Sequence, residues 1–232
     1  MSRRDELTAN LGATRSRIAA ACVAAGRSPG EVVLVAVTKT WPATDVRLLA
    51  ELGVQDVGEN RDQEARDKHA ACADLDLRWH FVGQLQRNKV GSVATYADVV
   101  HSVDRLPLVV ALDRAAQARD RAVVALVQVS LEPDGAGRGG ARPGDVPAIA
   151  DAVAAAPGLI LGGVMAVAPL GADADEAFGR LARVAADLRR SHPEAGIVSA
   201  GMTGDLEAAI RHGATHVRVG TALLGRRSAP VG

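Results

Sequence analysis

Lys39 is the side chain in this sequence best placed for covalent chemistry. It lies within VVLVAVTKT, residues 32–40, a run of the kind that forms a strand buried on both faces. Val35 and Val37 share its parity, so its amine is expected to emerge between apolar walls, where desolvation disfavours the ammonium. A neutral amine attacks an aldehyde to form an imine. A lysine merely solvated at a strand end is the alternative. Far along the chain, VSAGMTGDLEAAIRHGATHVRVGTALLG, residues 198–225, holds two strand-to-helix turns built from small residues. The first, Ala200 to Gly204, lets backbone N–H groups approach an anion ahead of a helix N-terminus, and Gly220 and Thr221 repeat the arrangement. Two ordinary loops with glycine caps are the alternative here. Arg218 lies between the turns in parity with Gly220, and its permanent charge requires an anion or an acceptor. A structural ion pair with a carboxylate such as Glu59 would also satisfy it.

These groups come together only if the elements between them are arranged to bring them there. Residues 3 to about 25 read as a helix, with Leu7, Leu11, Ile18, Cys22 and Val23 on one face, ended by Gly26, Pro29 and Gly30. Strands then alternate with helices. After 32–40 the expected strands are 56–60, 78–83, 99–104, 123–130, 159–167, 197–199 and 216–220. Helices are expected from Pro42 to Gly53, over RDQEARDKHAACA, over QLQRNKVGSVATYA, from Leu106 past Arg121, up to Pro157 and over 173–191. Strands separated by helices pair in parallel through right-handed crossovers, and about eight such units close into a (β/α)8 barrel. An open doubly wound sheet is the competing architecture, but no early GxGxxG is present. The barrel forms one domain over residues 1–225, with 226–232 expected as a mobile tail. In a parallel barrel the site gathers at the C-terminal strand ends, and strands one and eight are neighbours. Lys39, Arg218 and both glycine turns are therefore expected in one mouth.

Composition narrows the function classes. The chain has 232 residues, with 27 Lys+Arg balanced by 27 Asp+Glu, which argues against general affinity for nucleic acid or membranes. The N-terminus carries acids and no apolar core of a signal peptide, and no apolar run approaches the roughly 20 residues of a membrane span. Cys22 and Cys72 both fall in helical stretches and read as reduced thiols of a cytoplasmic protein. No His/Cys cluster has metal-ligand spacing. GRGGAR, residues 137–142, is a single Arg-Gly motif in a neutral chain, and is expected to be a flexible lid. Arg87 and Lys89 read as a solvated helix start, and Asp104 with Arg105 as a rim ion pair.

An aldehyde-binding lysine, a phosphate cup and an arginine in one barrel mouth point to pyridoxal 5′-phosphate. In order, VAVTK, GEN, WHFVGQLQRNK, HSVDR, GVMAV and SAGMTGDLEAAI…VRVGTALLG resemble the pyridoxal phosphate homeostasis proteins over nearly the whole chain. The resemblance implies a single-domain barrel like the N-terminal domain of alanine racemase, with an extra N-terminal helix. It implies a monomer that carries the cofactor as an internal aldimine on Lys39. It further implies that Ser199, Gly201, Met202, Thr203, Gly220 and Thr221 hold the phosphate. Arg218 would face the pyridine nitrogen, and Asn60 and Met165 would flank the ring. Ala200 departs from a common methionine, Thr203 from a common serine, and Gln84 from a frequent histidine or proline. The loop GAGRGG also departs from a more lysine- and serine-rich version, so no role is carried over to it.

The arginine bears on the chemistry. A guanidinium cannot accept the pyridine proton, so a ring facing it stays neutral and stabilises a carbanion poorly. A racemase of this kind then needs a second base. The only tyrosine, Tyr96, precedes strand four, towards the far end of the barrel, and His80 is expected to be packed and hydrogen-bonded. The expectation is a binding protein rather than a racemase, and the resemblance implies a carrier that buffers pyridoxal phosphate and delivers it to apo-enzymes. A pyridoxal-phosphate-dependent amino-acid racemase and a Schiff-base aldolase are the rivals.

Overall fold

A computed structural model describes residues 2–132 and 139–225. Eight parallel strands close into a barrel in chain order: β1 (Val33–Val37), β2 (Asp56–Glu59), β3 (Arg78–Phe81), β4 (Val99–Val103), β5 (Val123–Gln128), β6 (Leu159–Met165), β7 (Ile197–Ser199) and β8 (His216–Val219). The surrounding helices are α1 (Arg3–Ala24), α2 (Ala43–Glu51), α3 (Asp62–Ala71), α4 (Val90–Val93), α5 (Leu106–Gln117), α6 (Val146–Ala154), α7 (Ala174–Ser191), α8 (Leu206–Arg211) and α9 (Thr221–Leu224). The expected (β/α)8 barrel is thus present, and the open sheet is not. The expected tail, 226–232, lies outside the described residues, as do positions 133–138 of the Gly-rich loop.

The strands are shorter at their C-terminal ends than the apolar runs implied. β1 stops at Val37 rather than Thr40, and β6 at Met165 rather than Val167. The residues beyond leave the ladder and form the mouth. The segment after β3 also differs. In place of one long helix it forms a 3-10 turn, Arg87–Lys89, followed by the four-residue α4, which contains Gly91. The poor helix propensity of glycine and of β-branched Val90 and Val93 accounts for the short run.

α1 has a defined start. Ser2 caps it, its hydroxyl accepting from the Asp5 amide at 3.2 Å while the Asp5 carboxylate accepts from the Ser2 amide at 2.9 Å. Its apolar face, Leu7, Leu11, Ile18 and Cys22, packs against Ala36, Leu49, Val217, Val219, Leu223 and Leu224. The helix therefore covers the line where β1 and β8 close the barrel. That closure is in register, with Val33 opposite His216 and Ala36 opposite Val219. Arg3 adds polar ties across the same line, donating to the Asp45 carboxylate at 2.6 Å on one side and to the Leu224 carbonyl at 3.0 Å on the other.

Inside the barrel the apolar content is small. Val99, Leu126 and Met165 form the buried cluster, with Val124, Val167 and Ile197 against it. Polar side chains fill the remainder: His80, His101, Ser199, His216 and Arg218 are all buried. The larger apolar core lies between the strands and the helices. Among the described residues no helix is long and apolar enough to cross a membrane. Cys22 and Cys72 are buried free thiols.

The extra helix is thus part of the barrel wall. Leu7 has no exposed surface, and Leu7→Ala is expected to lower the unfolding free energy by about 2–5 kcal/mol in a urea titration, as for other buried leucines.

Candidate functional site

The mouth at the C-terminal strand ends holds a cavity of about 330 Å³. Val37, Lys39, Asn60, Val82, Gly83 and Val167 line one side, and Met202, Thr203, Gly204, Arg218, Gly220 and Thr221 the other. Lys39 thus meets both glycine turns in one cavity, as the sequence predicts. The strand registers explain this. β1 pairs with β2 at Val37 and Gly58, and with β8 at Ala36 and Val219. Following both pairings beyond the strand ends places Lys39 beside Asn60 and the Thr221 turn.

Lys39 itself is exposed, so the apolar enclosure expected around its amine is not formed. What the structure supplies instead is a held backbone. The Thr38 hydroxyl donates to Glu59 Oε1 at 2.6 Å, and Lys68 Nζ donates to the Thr38 carbonyl, Glu59 Oε1 and Glu64 Oε1, each at 2.6 Å. The Thr40 amide donates to Glu64 Oε1, and Thr40 adopts a positive φ of 68°. Both neighbours of Lys39 are therefore fixed by one buried cluster between β1, β2 and α3. Burial pushes the Glu59 carboxyl up, against the opposing pull of the Lys68 and Thr38 hydrogen bonds. Glu59 serves Lys68 rather than Arg218, so the ion pair that would have explained Arg218 structurally is not made.

Arg218 is buried, with Nη1 donating to Ser199 Oγ at 2.7 Å and Nη2 to the Ala166 carbonyl at 2.9 Å. Among the described residues no carboxylate lies within ion-pair distance of it. Burial pushes its guanidinium down to about 10, which leaves it cationic at neutral pH. Ser199 is fully buried, and its hydroxyl also contacts His101 Nδ1 at 3.0 Å. Its side chain lies beneath Arg218 rather than on the cavity wall. Met165 is buried in the interior cluster, two residues before Val167, which does line the cavity. Gly201 lies behind the wall with φ at +88°, and a Cβ there would sit 2.6 Å from that of Ala209. Its carbonyl accepts from the Arg218 amide at 2.9 Å. The other predicted residues, Lys39, Asn60, Met202, Thr203, Arg218, Gly220 and Thr221, meet in the cavity.

The cup is braced from outside. Arg17 of α1 donates to the Thr203 carbonyl at 3.1 Å and pairs with Glu207 at 2.7 Å, and Asn10 donates to the Leu223 carbonyl at 3.0 Å. α8 and α9 span only six and four residues. The local amides and hydroxyls of the turns, more than a long helix dipole, are what an anion would meet there. Among the described residues the Thr203 and Gly204 amides make no hydrogen bond within the chain. Asn60 Oδ1 is buried without a partner. The expected rim pair of Asp104 and Arg105 is formed. Arg87 lies in an exposed turn, while Lys89 approaches Asp62 at 3.7 Å. Tyr96 is buried and does not line the cavity; its hydroxyl is not at the far end of the barrel as expected but beside Asp62 and Glu59, and burial, with those carboxylates, pushes it up. Among the described residues no group of His, Cys, Asp and Glu is arranged to hold a metal.

Sequence reasoning missed the histidines below the mouth. His80 was expected to be packed and bonded, and it is: Nε2 lies 2.9 Å from Asp56 Oδ1 and Nδ1 lies 2.8 Å from His101 Nε2. That His101 and Ser199 continue the chain to Arg218 was not foreseen. The available signal was three histidines, 80, 101 and 216, on three predicted strands.

Residues 9–228 match the family described as alanine racemase, N-terminal domain. The pyridoxal phosphate homeostasis protein of Mycobacterium tuberculosis is 49% identical over 97% of this chain and 94% of its own. The structure of PipY from Synechococcus elongatus with PLP bound superposes with a TM-score of 0.83 at 35% identity, covering 94% of this chain and all of that one. An alanine racemase of Clostridium difficile superposes with a TM-score of 0.72 at 14% identity, covering 97% of this chain and 61% of that one, a likeness of fold alone.

Two predictions follow from the buried groups. Lys68→Met leaves Glu59 buried without its cation and is expected to cost about 3–5 kcal/mol of stability in urea denaturation. Burial holds His101 well below the usual histidine range and pushes His216 down to about 4. Both then bind protons more readily unfolded than folded, so their stability contribution is full above pH 6.5 and is lost as pH falls towards the folded values. For His216 alone, unfolding free energies measured from pH 7 to pH 4 should fall by roughly 3 kcal/mol, at 1.36 kcal/mol per unit.

Proposed function

Since the chain belongs to the family of pyridoxal phosphate homeostasis proteins, we propose that it binds pyridoxal 5′-phosphate in the mouth cavity through Lys39 and keeps it available in the cytoplasm. One observation carries this. The cavity is lined by two cations, Lys39 and Arg218, two threonine hydroxyls and a partnerless Asn60 oxygen, with no carboxylate among the described residues. Such a surface suits an aromatic anion with polar substituents.

When bound, the cofactor supplies an aldehyde that condenses with a primary amine, and a ring able to take up electron density. The chain's own residues decide how far that chemistry goes. Lys39 presents the amine from a backbone fixed on both sides by Thr38 and Thr40. The hydroxyls of Thr203 and Thr221, with the unused amides of Thr203 and Gly204, receive the phosphate. Gly220 lets that group approach, and Gly201 holds the turn. Met202 would stand with the phosphate cup beside Thr203 and Asn60 would flank the ring, with Met165 supporting Val167 from below. Arg218 donates towards the ring nitrogen and cannot take its proton. Ser199 acts through Arg218 rather than on the phosphate directly.

This favours holding over turnover. Racemisation needs a base on each face of the substrate carbon. Lys39 is the single side-chain base on the cavity wall among the described residues; Tyr96 is buried off that wall beside Asp62, and His80 faces Asp56 and His101. The exposed Lys39 amine would remain open to competition from incoming amines, which suits a monomeric buffer that releases the cofactor to apo-enzymes. A racemase remains the competing activity on the strength of the fold.

Borohydride reduction after soaking with pyridoxal phosphate, followed by peptide mapping, tests the anchor. A pyridoxyl adduct on Lys39 is expected, absent in Lys39→Ala along with visible absorption of the imine. An adduct on a different lysine, or sustained racemisation of single-enantiomer alanine, contradicts this function.

A further inference from the structure

A continuous file of side chains crosses the barrel interior from mouth to floor. Arg218 Nη1 lies 2.7 Å from Ser199 Oγ; Ser199 Oγ lies 3.0 Å from His101 Nδ1; His101 Nε2 lies 2.8 Å from His80 Nδ1; His80 Nε2 lies 2.9 Å from Asp56 Oδ1. Four strands besides β8 contribute to it: β7, β4, β3 and β2. Ser199, His101 and His80 are almost wholly buried, whereas Asp56, at the start of β2, borders a surface cavity at the opposite end of the barrel.

The two ends fix the direction of every hydrogen bond between them. Arg218 can only donate, and an ionised Asp56 can only accept. Four bonds then need four hydrogens. Arg218 supplies one, the Ser199 hydroxyl one, and each histidine one if both are neutral. Both imidazoles must carry hydrogen on Nε2 and present a bare Nδ1, and Ser199 must turn a lone pair to Arg218. An extra proton on His80 would oblige His101 to donate from Nδ1, and the Ser199 hydrogen would then be left facing Arg218.

The surroundings agree with that count. Burial above all, with the Arg218 guanidinium nearby, keeps His101 from taking a proton. Burial pushes the Asp56 carboxyl up, but the hydrogen bond from His80 and the nearby Arg78 guanidinium are among the influences that outweigh it and hold Asp56 below the usual range. His216, whose ring lies 6.2 Å from that of His80, is itself kept neutral by burial. Arg78 stands 3.6 Å from Asp56 on the floor side.

We propose that Asp56, His80 and His101 are positioning residues that act through Ser199 to seat the Arg218 guanidinium at the mouth. Two of its five N–H groups are engaged below, by Ser199 and Ala166, so the guanidinium that borders the cavity is held in one orientation. The protonation pattern of the floor thereby sets the donor geometry of the mouth. The part of this inference that concerns ligand affinity rests on the pyridoxal phosphate function; the part that concerns hydrogen positions does not.

Asp56→Asn tests it with an isosteric change. The asparagine amide donates where the carboxylate accepted, which lets the file reverse: His80 and His101 then carry hydrogen on Nδ1, and the Ser199 hydroxyl competes with Arg218. Long-range nitrogen NMR of the ligand-free protein at pH 7 should find both wild-type imidazoles with hydrogen on Nε2, and Arg218 Nη signals separated by hindered rotation. In Asp56→Asn the His80 hydrogen should move to Nδ1 and the Arg218 signals should merge. Pyridoxal phosphate should then bind about tenfold more weakly, the scale of one charge-assisted hydrogen bond. Ser199→Ala serves as the second variant: it should merge the Arg218 signals while leaving His80 protonated on Nε2. Hydrogen on Nδ1 of wild-type His101 overturns the proposal, as do unchanged Arg218 signals in either variant, or unchanged affinity with a reversed file. A wild type that binds no pyridoxal phosphate ends the functional proposal alone, since the imidazole and guanidinium signals still decide this one.

Discussion

The parallel pairing of β1 with β8 is the constraint on which the rest depends. It joins strands separated by the length of the chain, and it does so in a fixed register, Val33 to His216 through Ala36 to Val219. A slip of one residue would turn Arg218 out of the barrel and Lys39 away from the mouth, because side chains alternate between faces. The apolar face of α1 lies over this line, and Arg3 and Asn10 fasten α2 and α9 to it. The N-terminal helix therefore contributes to function at a distance: it stabilises the closure that makes a site out of two remote segments.

Around that closure the structure stabilises geometry with buried polar groups rather than with more apolar packing. The Glu59–Lys68–Glu64 cluster fixes both residues flanking Lys39, although burying Glu59 and Lys68, with Glu64 half-buried beside them, carries a large desolvation cost. Their hydrogen bonds offset that cost only when complete, so the cluster tolerates few arrangements of the turn between them. The histidine file imposes the same condition inside the barrel. Fully satisfied polar networks cost little and specify one arrangement; partly satisfied ones are expensive. The Lys39 turn and the Arg218 seat are thus held by networks on opposite sides of the barrel wall, with β2 contributing to both. An exposed amine can then exchange partners while its backbone stays in place.

Much of this was legible in the sequence, for reasons that can be named. Doubly buried strands leave long β-branched runs, and VVLVAVTKT is one, so strand order and the placement of Lys39 at a strand end could be read. Glycine turns leave composition, so both halves of the cup could be found. Apart from β7, strand ends were read too late by one to three residues, because apolar residues such as Val82 and Val167 continue past the ladder to line the mouth. The exposure of Lys39 was hidden because parity reports which face a residue takes, not how deep the wall around it is. The histidine file was hidden because it runs between β4 and β7, which are not neighbours in the sheet. Contacts across a barrel depend on strand tilt and stagger, and a single sequence carries no local mark of either. Ser199 illustrates the consequence: its place in a glycine-rich turn made it a phosphate ligand by analogy, whereas its hydroxyl is already shared between Arg218 and His101.

The two buried cations among the described residues separate what is structural from what is functional. Lys68 is balanced within the chain, with two carboxylates and a carbonyl at 2.6 Å. Arg218 is contacted only by a hydroxyl and a carbonyl, neither of which carries charge, and Asp205 acts on it only from beyond ion-pair distance. A buried guanidinium without a carboxylate is costly to keep, and a residue kept for packing alone would be replaced at a gain by an apolar one. The imbalance has one outlet, since the rest of the guanidinium borders the mouth cavity, where the only other ionisable side chain among the described residues is a second cation, Lys39. A ligand bearing negative charge and an acceptor therefore lowers the free energy of the folded chain when it enters, and a neutral or cationic one does not. The selectivity of the mouth for an anion follows from a charge left unpaired below it, and the threonine hydroxyls and amides of the cup add direction to that preference.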